Sequence, residues 1–225
     1  MIRLRPPALP VSPYSIWYDA YLWVRRPKLA LRKAREFAFY RGLLGTHVRL
    51  IFDIGADAGH KTNLFRRLAR CVVAVEPDPA SYELLCQRFR KIQAVQPRRA
   101  TIAHPDAAFN APVTTLDALI REFGVPDYIR LDNHGAELSA LRGLRTAMKL
   151  ISFRCNPASS QQLNAMVDLL VARDQNARFN YVIDEPPSRL EMDEWVSASD
   201  LLGHVRSHGY EYIEVLCRST PAHQQ

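Results

Sequence analysis

Residues 50–59 read Leu50-Ile51-Phe52-Asp53-Ile54-Gly55-Ala56-Asp57-Ala58-Gly59, and beyond a helical segment residues 72–76 read Val72-Val73-Ala74-Val75-Glu76. Strand, glycine turn, helix, strand and terminal carboxylate, in that order, describe a nucleotide-type pocket. Gly55 lets the chain turn sharply at the strand end. Gly59 removes a side chain where a ligand or a helix comes close. Glu76 follows Asp53 by 23 residues, near the spacing at which an acid ending the second strand takes a ribose hydroxyl pair.

The turn itself narrows the ligand. A dinucleotide fingerprint is Gly-x-Gly-x-x-Gly with the pyrophosphate on the helix N-terminus. Here the order is Asp-x-Gly-x-x-x-Gly, with an acid at the strand end. A carboxylate there opposes a diphosphate but suits a ligand carrying an ammonium or sulfonium group and ribose hydroxyls. S-adenosylmethionine has that profile, and the chain lacks the second and third fingerprint glycines of a dehydrogenase at the right offsets. The plainer alternative is a parallel-sheet strand with a glycine turn and no ligand.

From Arg49 onward the pattern alternates strand and helix, the sign of a parallel sheet with crossovers. Strands are predicted near 49–54, 71–76, 99–104, 127–132 and 149–154, and helices near 60–69, 79–92, 114–123, 136–145 and 160–173. A strand at 178–184, a helix from Ser199 to His208 and a last strand at 210–217 follow, with Ser197 as helix start and Gly209 as stop. The expected fold is a Rossmann-like α/β sheet with helices on both faces, mostly parallel, closed by an antiparallel C-terminal strand. Right-handed crossovers place a ligand at the carboxyl ends of the strands, at the switch in strand order. Asp53, Glu76 and Asp132 all fall at such ends.

Three blocks resemble the FkbM-type S-adenosylmethionine-dependent methyltransferases. They are Ile51–Thr62, then Val73-Ala74-Val75-Glu76-Pro77-Asp78-Pro79, then Val113-Thr114-Thr115-Leu116-Asp117 leading into Leu131-Asp132-Asn133-His134-Gly135-Ala136-Glu137. The first two are generic to class I methyltransferases, and the third is the specific one. The similarity covers roughly residues 48 to 160. The family usually reads Asp-Val-Glu-Gly where this chain has Asp132-Asn133-His134-Gly135, tends to a Glu where Arg154 stands, and carries a longer insertion before Val113.

The resemblance implies S-adenosyl-L-methionine as cofactor and a small-molecule or glycan hydroxyl as acceptor, on a sugar, glycolipid or secondary metabolite. The cofactor would meet Asp53 through its amino group, directly or through water, Gly55, Ala56 and Gly59 through close backbone approach, and Glu76 through its ribose, with Pro77 following. Asp78 reads as the cap of the next helix. Asp106 stands where it could face the adenine amino group, or is a plain loop acid. Asp132 is the candidate general base or acceptor-aligning group, and equally a cap for the helix near Ala136. His134 titrates near neutrality and is the second candidate base. Glu137 supports that helix start. The changes at His134 and Arg154 and the shortened connection keep a second reading open: a methyltransferase-like module that binds cofactor or a partner without turnover.

Composition bounds the rest. The 225 residues, 48% hydrophobic and 24% charged, suit one α/β domain with some decoration. The net charge is +7, yet residues 1–50 hold ten Lys or Arg against two acids, a balance of +8, leaving −1 for the remainder. We therefore divide the chain into a basic, aromatic-rich extension, 1–45, and a methyltransferase-like domain, 46–225. Pro27 should separate two helical pieces in the extension. Such a basic segment lies on an anionic membrane surface as a peripheral contact, clamps a polar polymer, or packs on the domain with its cations in water. Nucleic acid is not expected as a partner. Four scattered cysteines without histidine companions suggest reduced, buried thiols, a cytoplasmic setting and no metal. No stretch reaches the ~20 apolar residues of a membrane span, and no signal peptide is expected.

Overall fold

The computed structural model describes residues 21–22, 24–103, 112–133, 135–183 and 186–219. Helix α1 (Pro27–Leu44) leads into β1 (Val48–Ile54), α2 (His60–Phe65), β2 (Ala69–Val75), α3 (Pro79–Phe89) and β3 (Val95–Arg98). A short pair, β4 (Thr101–Ile102) and β5 (Val113–Thr114), precedes α4 (Leu116–Phe123), β6 (Tyr128–Leu131), α5 (Glu137–Arg142) and β7 (Leu150–Cys155). The chain continues through α6 (Ser160–Val171), β8 (Arg178–Val182), α7 (Ala198–His208) and β9 (Ile213–Arg218).

Seven strands form one sheet in the order β3-β2-β1-β6-β7-β9-β8. Every pairing is parallel except those of β9, which runs antiparallel between β7 and β8. The central strands are apolar and buried because helices cover both faces. Order reverses between β1 and β6, so a crevice opens there at the carboxyl ends.

Local chemistry sets most boundaries. Pro27 sits in the first turn of α1, after the non-helical Arg26, so the helix starts where proline's fixed φ and missing N–H do no harm. Asp78 accepts from the Ser81 amide at 2.8 Å and Thr115 from the Ala118 amide at 3.1 Å, capping α3 and α4. Ser197 caps α7, which ends at Gly209.

The third strand corrects the sequence reading. It lies at Val95–Arg98, not at 99–104, with Val95 opposite Val72 and Pro97 opposite Ala74. Pro97 is tolerated because β3 is an edge strand, whose outer groups need no ladder partner. The apolar residues just beyond it form the separate parallel pair, Thr101 opposite Val113 and Ile102 opposite Thr114.

One face of the sheet carries the larger core, in which Phe52, Val73, Ile129 and Phe153 pack with residues of α4, α5, α6 and α7. On the other face Tyr40 of α1 lies edge-on to Phe65 at 5.1 Å and 6.3 Å from Tyr128. Each such aromatic pair contributes about 0.5–1.5 kcal/mol beyond area burial. Arg173 fastens α5 to α6 by donating to the carbonyls of Leu141, Leu144 and Leu169. Cys155 and Cys217 are buried, which pushes their thiols up to about 12, whereas Cys71 and Cys86 are half-buried.

Candidate active site

The first loop is folded directly over the end of β6. The amides of Gly55 and Ala56 both donate to the Val75 carbonyl, at 2.9 and 3.0 Å, and the Asp132 amide donates to the Ile54 carbonyl at 2.9 Å. A Cβ on Gly55 would lie 1.8 Å from the Asp132 carbonyl oxygen, and its φ is +75°. Only glycine fits. Ala56 is buried against Leu85 and Phe89. Gly59, also at positive φ, makes room for a helix: a Cβ there would lie 2.5 Å from the Phe89 ring and 2.7 Å from Leu85.

Glu76, only 3% exposed, closes the loop from the other side. Its carboxylate accepts from the Asp57 amide at 2.7 Å and the Asp78 amide at 2.9 Å. Asp57 adopts φ 49° to present that amide, a conformation aspartate visits more readily than most residues. A carboxylate has about four acceptor sites, so two remain for a hydroxyl pair. The group that the fold family implies therefore fits Glu76. Pro77 is half-buried between Glu76 and the helix cap.

Asp53 departs from its expected contact. The side chain is fully buried and turned into the sheet face that carries α1 and α2, where it accepts from Thr62 Oγ1 at 2.6 Å and Arg130 at 3.1 Å. It does not line the crevice, so no ligand ammonium reaches it directly. The reason lies in strand pairing: Asp53 stands opposite Arg130 in the β1–β6 ladder, and a buried guanidinium requires an anion beside it. Burial raises the Asp53 pKa, against the opposing pull of Arg130 and Thr62. Burial alone would lower that of Arg130, but Asp53 and Asp132 beside it raise it, and the cation is fixed.

Arg130 passes this anchoring on to Asp132, donating to its carboxylate through the second guanidinium nitrogen. Asp132 is partly exposed, with Arg154 4.0 Å away and the Arg154 guanidinium 5.3 Å from the Tyr212 ring centre. It does not cap α5. No side chain among the described residues caps that helix; Glu137 instead ties down the loop before it, accepting from the amides of Asn133 at 2.8 Å and Gly135 at 2.9 Å, and burial raises its pKa. Asn133 donates to the Ile102 carbonyl at 2.6 Å, tying the site loop to β4. Along the same sheet face Tyr128, Ser152 and Glu214 form a hydrogen-bonded row, with Ser152 2.6 Å from each neighbour.

A cavity of about 570 Å³ opens beside Asp132, walled by Arg154, Asn156, Gln162, Met166 and Tyr212. Its polar lining can grip a hydroxylated molecule, and the half-exposed Tyr212 ring offers a stacking face. Asp106 and His134 lie outside the described residues. Reasoning from sequence missed Thr62, Arg130, Asn133 and Tyr212. Of these only Arg130 carried a signal, a lone charge inside the apolar strand Tyr128-Ile129-Arg130-Leu131.

No curated protein matches the chain significantly by sequence. Among solved structures, the TehB-like SAM-dependent methyltransferase from Corynebacterium glutamicum is similar over 92% of this chain and 100% of its own, at 10% identity and a TM-score of 0.50. Precorrin 8w decarboxylase from Methanobacterium thermoautotrophicum is similar over 84% and 90%, again at 10% identity and a TM-score of 0.50. Both share the fold. The methyltransferase FkbM domain matches residues 93–212, just over half of the chain. That match begins after the generic loop and Glu76, and it extends beyond the span read from the motifs, to the start of β9. The chain belongs to the FkbM family of S-adenosylmethionine-dependent methyltransferases.

Proposed function

We propose that the protein methylates a hydroxyl on a sugar, glycolipid or secondary metabolite, with the acceptor seated in the cavity beside Asp132. The observation carrying this reading is the Asp132 carboxylate, clamped by buried Arg130, next to the glycine loop and open to a cavity of about 570 Å³ with both polar and apolar walls. The bound cofactor supplies an electrophilic methyl group on a sulfonium. Glu76 takes the ribose hydroxyls with its remaining acceptor sites. Gly55 and Gly59 keep the loop close to β6 and α3, respectively. Asp132 orients the acceptor hydroxyl and receives its proton, a role worth about 10²–10⁴ in rate. Asn156 and Gln162 hydrogen-bond neighbouring hydroxyls, and Arg154 accepts an anionic or polar substituent. Asp53 acts through Arg130 and touches neither reactant.

Calorimetry tests the cofactor half. Purified protein is expected to take up S-adenosylmethionine and S-adenosylhomocysteine saturably, and no uptake of either would end the reading. With a hydroxylated acceptor in hand, Asp132→Asn should keep cofactor binding and lower turnover about 100-fold or more. A second reading draws on Arg154, which at 4.0 Å competes with any hydroxyl for Asp132: a module that binds cofactor or a partner without turnover. Intact binding, no product with many acceptors and no effect of Asp132→Asn would favour it.

A further inference from the structure

The methyltransferase reading leaves α1 unused, although this helix holds much of the basic excess. Its inner side is fixed to the domain: Ala30 and Tyr40 are buried, and Glu36 pairs with Lys61 of α2. Its outer side carries Lys28, Leu31, Arg32 and Arg35, all exposed, at the i, i+3, i+4, i+7 spacing of one helical face. Arg25, Arg26, Lys33 and Arg41 are exposed as well, and among the described residues 24–44 the single carboxylate is Glu36, which is already paired. Two large apolar side chains stand among these cations, Val24 at 79% and Leu31 at 43% exposure.

Beside this face, between α1 and α2, lies a cavity of about 230 Å³ lined by Lys33, His60, Arg67 and the Lys61-paired Glu36 over Leu22 and Phe37. The Arg67 guanidinium rests 4.7 Å from the Phe37 ring centre, which holds it against α1. Burial first, then the charges of Arg88 and Lys33, lower the His60 pKa against the opposing pull of Asp57 and Glu36.

We propose that the outer face of α1 and the adjoining α1–α2 cavity dock the protein on an anionic lipid bilayer, with lipid phosphates among Lys28, Arg32, Lys33 and Arg35. Charge complementarity selects an anionic partner. The exposed Val24 and Leu31 select a bilayer over a nucleic acid, because apolar side chains on a cationic face gain by entering the headgroup boundary, whereas a phosphate backbone offers them nothing. Each cation near an anionic leaflet raises binding roughly five-fold. The inference does not depend on the acceptor reading.

Vesicle sedimentation of the full chain tests it. The protein should sediment with phosphatidylcholine vesicles containing about a third phosphatidylserine, not with phosphatidylcholine alone, and salt near 0.5 M should release most of it, since screening then acts within a few ångströms. Lys28→Gln, Arg32→Gln and Arg35→Gln together should lower binding about 100-fold, and Leu31→Asn should lower the salt-resistant part several-fold. Equal partitioning onto the two vesicles, or unchanged binding by the triple variant, would overturn the proposal. So would tighter retention on a duplex oligonucleotide than on the anionic vesicles at the same salt. S-adenosylhomocysteine calorimetry on the same preparations reports folding and cofactor uptake separately. Its failure with vesicle binding intact would strike the cofactor reading alone.

Discussion

Arg130 is a cation in the middle of a sheet, and two carboxylates depend on it. Arg130→Met leaves the fully buried Asp53 without a counter-charge and Asp132 with only the more distant, exposed Arg154. Breaking a buried pair from one side costs about 3–5 kcal/mol, so thermal unfolding should drop by roughly 10 °C for a domain of this size. A variant unfolding at the wild-type temperature would contradict this role. Glu137 gives a pH signature instead. Burial raises its pKa above the ordinary value, about 4.3 in the unfolded chain. Between that value and the native one the folded protein holds more protons, so this group's contribution to stability falls as pH rises through the window and is level above it. Asp53 acts with the same sign. As pH rises across the acid range, denaturant midpoints should therefore fall less, or rise more, in Glu137→Gln than in the wild type.

At the scale of elements, the attachment of α1 rests on Tyr40, whose ring is fully buried while its hydroxyl finds no partner among the described residues. Removing a buried, unpaired hydroxyl and keeping the ring should help, so Tyr40→Phe is expected to gain about 1 kcal/mol and raise the midpoint by a few degrees. A loss of stability would show that the hydroxyl is satisfied by other means. The element pattern was largely legible, because period, caps and turn glycines act locally: Ser197, Gly209, Asp78 and Pro27 mark helix limits as their chemistry requires. The third strand was not. Val95–Arg98 is short and holds a proline, and only its place at the sheet edge makes it a strand. Of the two acids read near the start of α5, Glu137 and not Asp132 takes the loop amides, because Arg130 holds Asp132 elsewhere.

For the whole molecule, cofactor uptake should appear as stability. A ligand at 100 times its dissociation constant adds about 2.7 kcal/mol, so S-adenosylhomocysteine should raise the unfolding midpoint by roughly 5–10 °C. In Glu76→Gln the shift at equal ligand concentration should be smaller, and an unchanged shift would remove Glu76 from the site. The sequence placed Asp53, Glu76 and Asp132 at strand ends: Asp53 is the last residue but one of β1, Glu76 follows β2 and Asp132 follows β6, with β1 and β6 meeting at the switch and β2 beside β1. Which way each side chain points depends on partners far along the chain, and so Asp53, facing Arg130 77 residues away, went inward unannounced. That inward pair has a consequence for how the chain assembles. Slipping β1 by one residue against β6 would set Arg130 beside an aliphatic or aromatic neighbour and strand an unneutralised charge under the helices. The apolar residues of both strands would tolerate several alignments equally well. A single matched cation and anion thus act as a key that admits one alignment during folding and rejects its near neighbours.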